Sequence, residues 1–304
     1  MGDGTYNSKP FPTQIGTATD WKDVKGGNVY TLALKLDGTI WAWGNNMQGQ
    51  LGDGTNISKN VPTQIGTATN WKTISAGSNH SVAIKTDGTL WAWGYNGNGQ
   101  LGDNTSINKM TPTQIGTANN WEIVVAGVNH TIAIKTDGTL WAWGLNDNGQ
   151  LGDGTFMSKR IPTQISTTTD WLKLSGGYYH NLAIKTDGSL WAWGFNSNGQ
   201  LGDGTNNFKT SPVAITCPTT VLQTQDSDLN ISNITLYPNP TKAMFQIEHK
   251  VNIKNVQIFN EEGRIVITVL NQNVINIQSL QNGIYWIKIE DANGKIFTKK
   301  IVKS

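Results

Sequence analysis

His80, His130 and His180 stand 50 residues apart, and Tyr30 holds the matching place one interval earlier. Imidazoles can bind zinc or shuttle protons near neutrality. Zinc binding would need them to converge, but equivalent positions of a repeat lie one unit apart, and a tyrosine replaces one of them. Their expected role is a structural hydrogen bond at the start of a strand. The stretch Asn146–Gly149, "NDNG", has some likeness to a calcium loop. It lacks the acidic spacing and the closing glutamate, and its siblings "NMQG" and "NGNG" lack the aspartate, so it reads as a glycine-assisted turn. "GDGT" is followed by no Lys-Ser or Lys-Thr at phosphate-loop spacing. No nucleophile stands beside a base. These residues predict no catalytic group, no metal and no cofactor.

The tryptophans are the other chemically able set. Trp21, Trp71, Trp121 and Trp171 form one column, and the Trp-Ala-Trp pairs from Trp41 to Trp193 form two more. Exposed, they would stack on sugars; within strands, each ring buries about 150–250 Å² between sheets. Their recurrence inside strand-like runs points to core.

The elements that carry these residues repeat. "WAWGLNDNGQLGDGT" at 141–155 has near-copies from Trp41, Trp91 and Trp191, and the chain opens on "MGDGT", in line with the "LGDGT" at Leu51, Leu151 and Leu201 and the "LGDNT" at Leu101. In the unit 151–200, "IPTQI" reads as a strand with an edge proline, and "WLKLSGG", "HNLAIKT" and "LWAWG" as three more. Asp187-Gly188 joins the last two, as do Asp37-Gly38, Asp87-Gly88 and Asp137-Gly138, and both residues of such a pair tolerate the positive φ of a tight turn. Three or four short antiparallel strands make one propeller blade. "SVAI" and "TLWAW" are apolar on both faces, as in a sheet sandwiched between neighbours, so the units must stack. The expectation is an all-β chain: a β-propeller of four full 50-residue repeats over residues 1–216, with a partial fifth, forming part of a larger ring.

Composition agrees. The 304 residues include 34 glycines and 13 tryptophans, with only 14% charged residues. Residues 1–216 carry 14 basic and 14 acidic groups, which leaves nucleic acid or an anionic membrane little to hold. The single cysteine, Cys217, rules out an intrachain disulfide. No apolar run is long enough to span a bilayer as a helix.

"AGSNHSVAIKTDGTLWAWGYNGNGQLGDNT" (76–105) resembles the repeat of the regulator of chromosome condensation family: a glycine, a histidine before an apolar strand, an Asp-Gly turn, a Trp-Gly, then Asn and Gly-Gln-Leu-Gly. The resemblance covers residues 1 to about 215 and implies a β-propeller, commonly of seven blades. It also raises nucleotide exchange on a small GTPase. The founding member does this with a hairpin inserted into the propeller, whereas all four units here are equal in length, and fold alone does not transfer function. Secreted bacterial relatives use the same face to bind proteins. Residues that differ between copies cluster in loops, where recognition usually resides: Tyr95, Leu145 and Phe195 at one position, Tyr178 and Tyr179 at another, Tyr6 and Phe156 at a third.

Composition shifts at Cys217. Residues 217–233 match no repeat and read as a linker. Residues 234–304 alternate as "FQIE", "VQIF" and "YWIKIE", with Asn293-Gly294 as a turn, and predict a small β-sandwich. Tyr237, Pro238, Asn239, Pro240, Gly263, Gly283, Tyr285, Lys299 and Lys300 carry a close similarity to the type A C-terminal sorting domain of the type IX secretion system of the Bacteroidetes. That implies the secretion machinery as a partner, export across the outer membrane, cleavage near 217–234, and an extracellular or outer-membrane surface location. Such cargo first crosses the inner membrane on a signal peptide, which "MGDGTYNSKPFPTQ" is not. The expectation is that a signal peptide and further repeats lie upstream of Met1. The function expected is a secreted or surface-displayed binding protein whose propeller loops hold a protein or glycan ligand. A lectin with exposed tryptophans is the first alternative and a GTPase exchange factor the second.

Overall fold

The structure is a computed structural model of the chain, describing residues 2–216, 234–250 and 252–304. The expected linker, 217–233, lies outside the described residues. The chain divides into two compact units, Met1–Pro218 and Thr219–Ser304, and all regular structure described is β.

Unit one holds four sheets of four antiparallel strands. Blade 1 is β1 (Trp21–Gly26), β2 (Tyr30–Lys35), β3 (Ile40–Gly44) and β4 (Lys59–Gln64). Blade 2 repeats it as β5 (Trp71–Ala76), β6 (His80–Lys85), β7 (Leu90–Gly94) and β8 (Lys109–Gln114). Blade 3 is β9 (Trp121–Ala126), β10 (His130–Lys135), β11 (Leu140–Gly144) and β12 (Lys159–Ser166), and blade 4 is β13 (Trp171–Gly176), β14 (His180–Lys185), β15 (Leu190–Gly194) and β16 (Lys209–Ala214). The innermost strands pack in succession, β1 on β5, β5 on β9 and β9 on β13.

This corrects the phase of the repeat read from sequence. The "IPTQI" segment is not the first strand of the unit 151–200: as part of β12 it pairs with β11, so a blade runs from one column tryptophan to the proline strand of the next sequence unit. The proline fixes that place. It lacks an N–H, so the strand carrying it serves as the outer edge. The Asp-Gly turns also differ in detail. Only the glycine has positive φ, as in Gly38 at 80°, while Asp37 Oδ1 accepts from the N–H and hydroxyl of Thr39 at 2.9 and 2.7 Å. This is a side-chain-capped turn followed by a left-handed glycine.

Between blades lie the tryptophans. Trp93, Trp143 and Trp193 are fully buried, and Gly52, Gly102 and Gly152 of the preceding blade sit against their indoles. A Cβ on Gly52 would lie 2.7 Å from Trp93 Nε1, so glycine is required there for close approach. Within each blade the column tryptophan packs on the other two, as Trp71 does edge-on to Trp91 at 5.7 Å. Lys85 Nζ lies 3.9 Å from the Trp91 ring and 4.8 Å from Trp71, and each such contact contributes about 0.5–1 kcal/mol.

Unit two is an antiparallel sandwich. One sheet is β17 (Thr235–Tyr237), β18 (Met244–Glu248) and β21 (Val274–Asn276); the other runs β20 (Ile265–Leu270), β19 (Ile253–Phe259), β22 (Gly283–Asp291) and β23 (Ile296–Lys303). Alternation in β22, with Tyr285, Ile287 and Ile289 inward, meets Phe245, Ile247 and Ile275 of the first sheet in one core.

Candidate binding face

Each blade sends two kinds of loop to one end of the propeller. The short β1–β2 loop and the long β3–β4 loop lie side by side, joined by Asn45 N donating to Val29 O at 2.9 Å; Phe195 N and Tyr179 O repeat this in blade 4 at 2.8 Å. The Asp-Gly turns occupy the opposite end, because antiparallel strands alternate their connections.

The repeated Asn–Gly-Gln-Leu-Gly-Asp-Gly-Thr motif is the skeleton of the long loop. Buried Asn46 donates through Nδ2 to Asp53 Oδ1 and Thr55 O, while its Oδ1 takes the N–H of Leu51. Asp53 caps Thr55 and pairs with Lys59 at 3.2 Å. Asn96, Asn146 and Asn196 repeat the arrangement. The aspartate is held below the usual carboxylate range by hydrogen bonds from Thr55, Lys59 and Asn46, which outweigh the opposing, largest effect of burial. Motif side chains therefore satisfy the loop itself, and its variable residues face outward.

The histidines occupy the inner ends of the second strands. A Cβ on Gly27, Gly77, Gly127 or Gly177 would lie 2.0–2.4 Å from a ring atom of Tyr30, His80, His130 or His180 respectively, which accounts for the glycine three residues ahead of each. The rings of Tyr30, His80 and His130 then reach the next blade. His80 Nε2 lies 3.1 Å from Thr131 Oγ1, His130 Nε2 donates to Asn181 Oδ1 at 2.8 Å, and the Tyr30 hydroxyl donates to His80 O at 2.6 Å. Burial pushes His80 down to about 3 and His130 to about 4, so both are neutral struts. Among the described residues, no three His, Cys, Asp or Glu side chains come together.

The loop residues named from sequence all reach this face, with unequal exposure. Tyr6 is 81% exposed and lines a cavity of about 510 Å³ with Val29, Asn45 and Ser58. Phe156 and Tyr178 are exposed. Tyr95, Leu145, Tyr179 and Phe195 are half-buried, with Tyr95 folded over Gly97. Met47, Ile57, Ile107, Met157 and Phe208 are further exposed apolar residues on these loops. Met47, Met157 and Phe208 escaped sequence reasoning although they too vary between copies. Among the described residues, no tryptophan of the propeller is exposed; the exposed one, Trp286, belongs to the sandwich.

The four inner-strand ends border an open axial cavity of about 350 Å³, lined by Gly26, Gly27 and Asn28, by Ala76, Gly77 and Ser78, by Ala126, Gly127 and Val128, and by Gly176, Gly177 and Tyr178. Three blades present small side chains at its mouth and the fourth presents a tyrosine.

In the sandwich, the sorting residues divide by role. Asn239 ties its segment to β23, donating to Lys300 O at 2.9 Å and accepting from Val302 N at 3.0 Å. Tyr285 is buried with its hydroxyl on Gln281 O, Gly263 takes positive φ in the β19–β20 turn, and Gly283 opens β22. Tyr237, Pro238, Pro240, Lys299 and Lys300 are exposed. Trp286, which sequence reasoning passed over, stands opposite Lys300 and Phe259.

Comparison with known proteins follows this division. Residues 1–232 match the RCC1-like domain, and residues 235–304 match the secretion system C-terminal sorting domain. No curated protein matches the sequence. Among solved structures, human WBSCR16 is 23% identical, covering 65% of this chain and 53% of its own, with TM-score 0.60. Prp20p from Saccharomyces cerevisiae, described with its binding to Gsp1p and histones, is 23% identical over 67% of this chain and 52% of its own, with TM-score 0.61. Yeast RCC1 (Prp20) bound to Kap60 is 18% identical over 92% and 70%, with TM-score 0.57. The chain thus spans about half the length of the first two, and at these identities the likeness is one of fold. The sorting tail implies export to the cell surface or the extracellular space. On the match over its first 232 residues, the chain belongs to the RCC1-like domain family and is a β-propeller protein with a secretion system C-terminal sorting domain.

Proposed function

We propose that this is an exported, non-enzymatic binding protein, delivered by residues 234–304 and recognising its ligand through the propeller's loop face. One observation carries the reading: residues that vary between copies, and the exposed apolar side chains Met47, Ile57, Ile107, Phe156, Met157 and Tyr178, share that face, while motif residues are consumed in holding the loops. A rigid scaffold presenting variable loops is the usual arrangement for recognition. Five aspartates of these loops, Asp3, Asp53, Asp103, Asp153 and Asp203, are each neutralised by a lysine, so the face is close to uncharged. A GTPase exchange role has no residue-level support, since the four blades carry loops of matching length without an inserted hairpin among the described residues.

The test is expression in a host with type IX secretion, behind a signal peptide of that host, comparing the full chain with one ending before residue 234. The full chain should reach the surface or medium and the shortened one remain in the cell. Phe156→Asp with Met157→Asp should then abolish attachment of the exported protein to its target while leaving export intact. Export of the shortened chain, or attachment indifferent to the loop changes, would overturn the respective half.

A further inference from the structure

We propose that the mouth of the axial cavity beside blade 4 binds a neutral saccharide, with the Tyr178 ring as stacking platform; this rests on the loop face being the binding face. The four blades serve as internal controls for what the fold itself needs. At the place of Tyr178 the others carry Asn28, Ser78 and Val128, and at the place of Tyr179 they carry Val29, Asn79 and Asn129. Blade 4 alone runs four aromatic rings outward from the mouth. Tyr178 meets Tyr179 edge-on at 4.5 Å, Tyr179 meets Phe195 at 6.5 Å, and Phe195 meets Phe208 at 5.0 Å.

This series removes hydrogen bonds that the other blades keep. Asn79 and Asn129 accept from Gln50 and Gln100 Nε2 at 3.4 and 3.5 Å; with Tyr179 in that position, buried Gln150 Nε2 has no partner among the described residues. Ser58, Asn108 and Ser158 accept the N–H of Asn46, Asn96 and Asn146 at 2.9–3.2 Å, which Phe208 cannot do. The aromatic run therefore does not serve the fold. It fixes one exposed ring, Tyr178 at 64% exposure, at the rim of the axial cavity.

The cavity's chemistry selects the ligand class. Its other walls are glycine, alanine and Val128 with the short polar side chains of Asn28 and Ser78. The N–H groups of Gly27, Gly77, Ser78, Gly127 and Gly177 are already paired within the fold, so Asn28, Ser78 and the free strand-end carbonyls are the polar partners on offer. A sugar ring presents an apolar face for an aromatic platform and hydroxyls that both donate and accept, whereas a protein partner needs a wide patch with several buried anchors. The Tyr179 phenol is raised first by burial, then by Tyr178, and least by the carboxylate of Asp147, which has no ion-pair partner among the described residues. That carboxylate accepts from hydroxyls and repels acidic sugars.

Isothermal titration of the full chain with neutral hexasaccharides of glucose, mannose, galactose and xylose, in α and β linkages, tests this directly. At least one should bind. Tyr178→Ala should weaken that binding about tenfold or more, and Tyr178→Phe should keep it within about twofold, because the ring face is what stacks. Tyr178 is exposed, so an unchanged unfolding midpoint and tryptophan emission verify the fold of each variant. Absence of binding across the panel at millimolar sugar, or binding indifferent to Tyr178→Ala, overturns the proposal. Should a purified protein ligand lose affinity on Tyr178→Ala while no sugar binds, the saccharide site is refuted and the binding face stands. Should the loop face prove indifferent to every ligand, both fall.

Discussion

Blade 2 and blade 4 are written in nearly the same residues, "HSVAIK" and "LWAWG" against "HNLAIK" and "LWAWG", yet they occupy different environments. In blade 2, Val82, Ile84 and Leu90 are fully buried between neighbours. In blade 4, Leu182 and Ile184 are half-buried and Leu190 is 36% exposed. His80 reaches Thr131 of the following blade; His180 has no such partner among the described residues. The lesson is that a blade's strands specify its sheet, while its stability comes from the blade packed over it. In a stacked array each neighbour contact adds its own share.

The largest expected consequence is in pH. His80 and His130 are lowered by burial from an ordinary value of 6.5, to about 3 and about 4. Above 6.5 both folded and unfolded chains leave them neutral, and their contribution is fully present. As pH falls below 6.5 the unfolded chain takes up protons that the folded chain refuses, so stability drops by roughly 1.4 kcal/mol per pH unit for each buried histidine until the folded groups also titrate. Denaturation midpoints between pH 7 and 4 should show this slope. His80→Gln together with His130→Gln should flatten it, whereas His180→Gln, at a half-exposed site, should leave most of it. A slope unchanged by the double substitution would break the comparison.

Core truncation comes next. Leu90→Ala should cost about 2–5 kcal/mol in denaturant unfolding, and Leu190→Ala less than about 1.5 kcal/mol, because part of its side chain already meets solvent. Equal losses would show that blade 4 is covered in solution.

Asn181→Leu removes the acceptor for His130 Nε2, leaving that donor buried without it, and one of two donors to Gln150 O, which keeps Trp193 Nε1 at 3.0 Å. A loss of about 1–3 kcal/mol is expected. Thr31→Val, at the matching place in blade 1, should change stability by about 0.5 kcal/mol or less, since its hydroxyl makes no hydrogen bond among the described residues. Thermal melts of the pair measure the difference.

The smallest effect is Lys85→Met, which keeps the stem between Trp71 and Trp91 and removes the charge. It should cost about 0.5–1 kcal/mol. Lys185→Met also loses Asp170, 3.2 Å away, and should cost somewhat more. Salt titration separates the two, because the ion pair is screened and the ring contact much less so.

The sequence by itself determined the strands, their turns and the four-fold recurrence, because apolar runs, Asp-Gly pairs and a 50-residue period are local signals. It also assigned the tryptophans to the core and the histidines to struts, since residues repeated at every unit serve what every unit shares. It could not set the phase of the blade. The proline strand lies beside the tryptophan strand before it, and that pairing spans a loop whose ends meet only in three dimensions. Nor could it show that Tyr178, Tyr179, Phe195 and Phe208 form one run. They come from two loops of blade 4 separated in sequence, and only the antiparallel return of β14 and β15 brings those loops together. The orphaned amide of Gln150 is a product of the same folding, since it belongs to blade 3 while the residue that deprives it belongs to blade 4. Local composition decided what each blade is; contact between blades decided which residues are left over to bind.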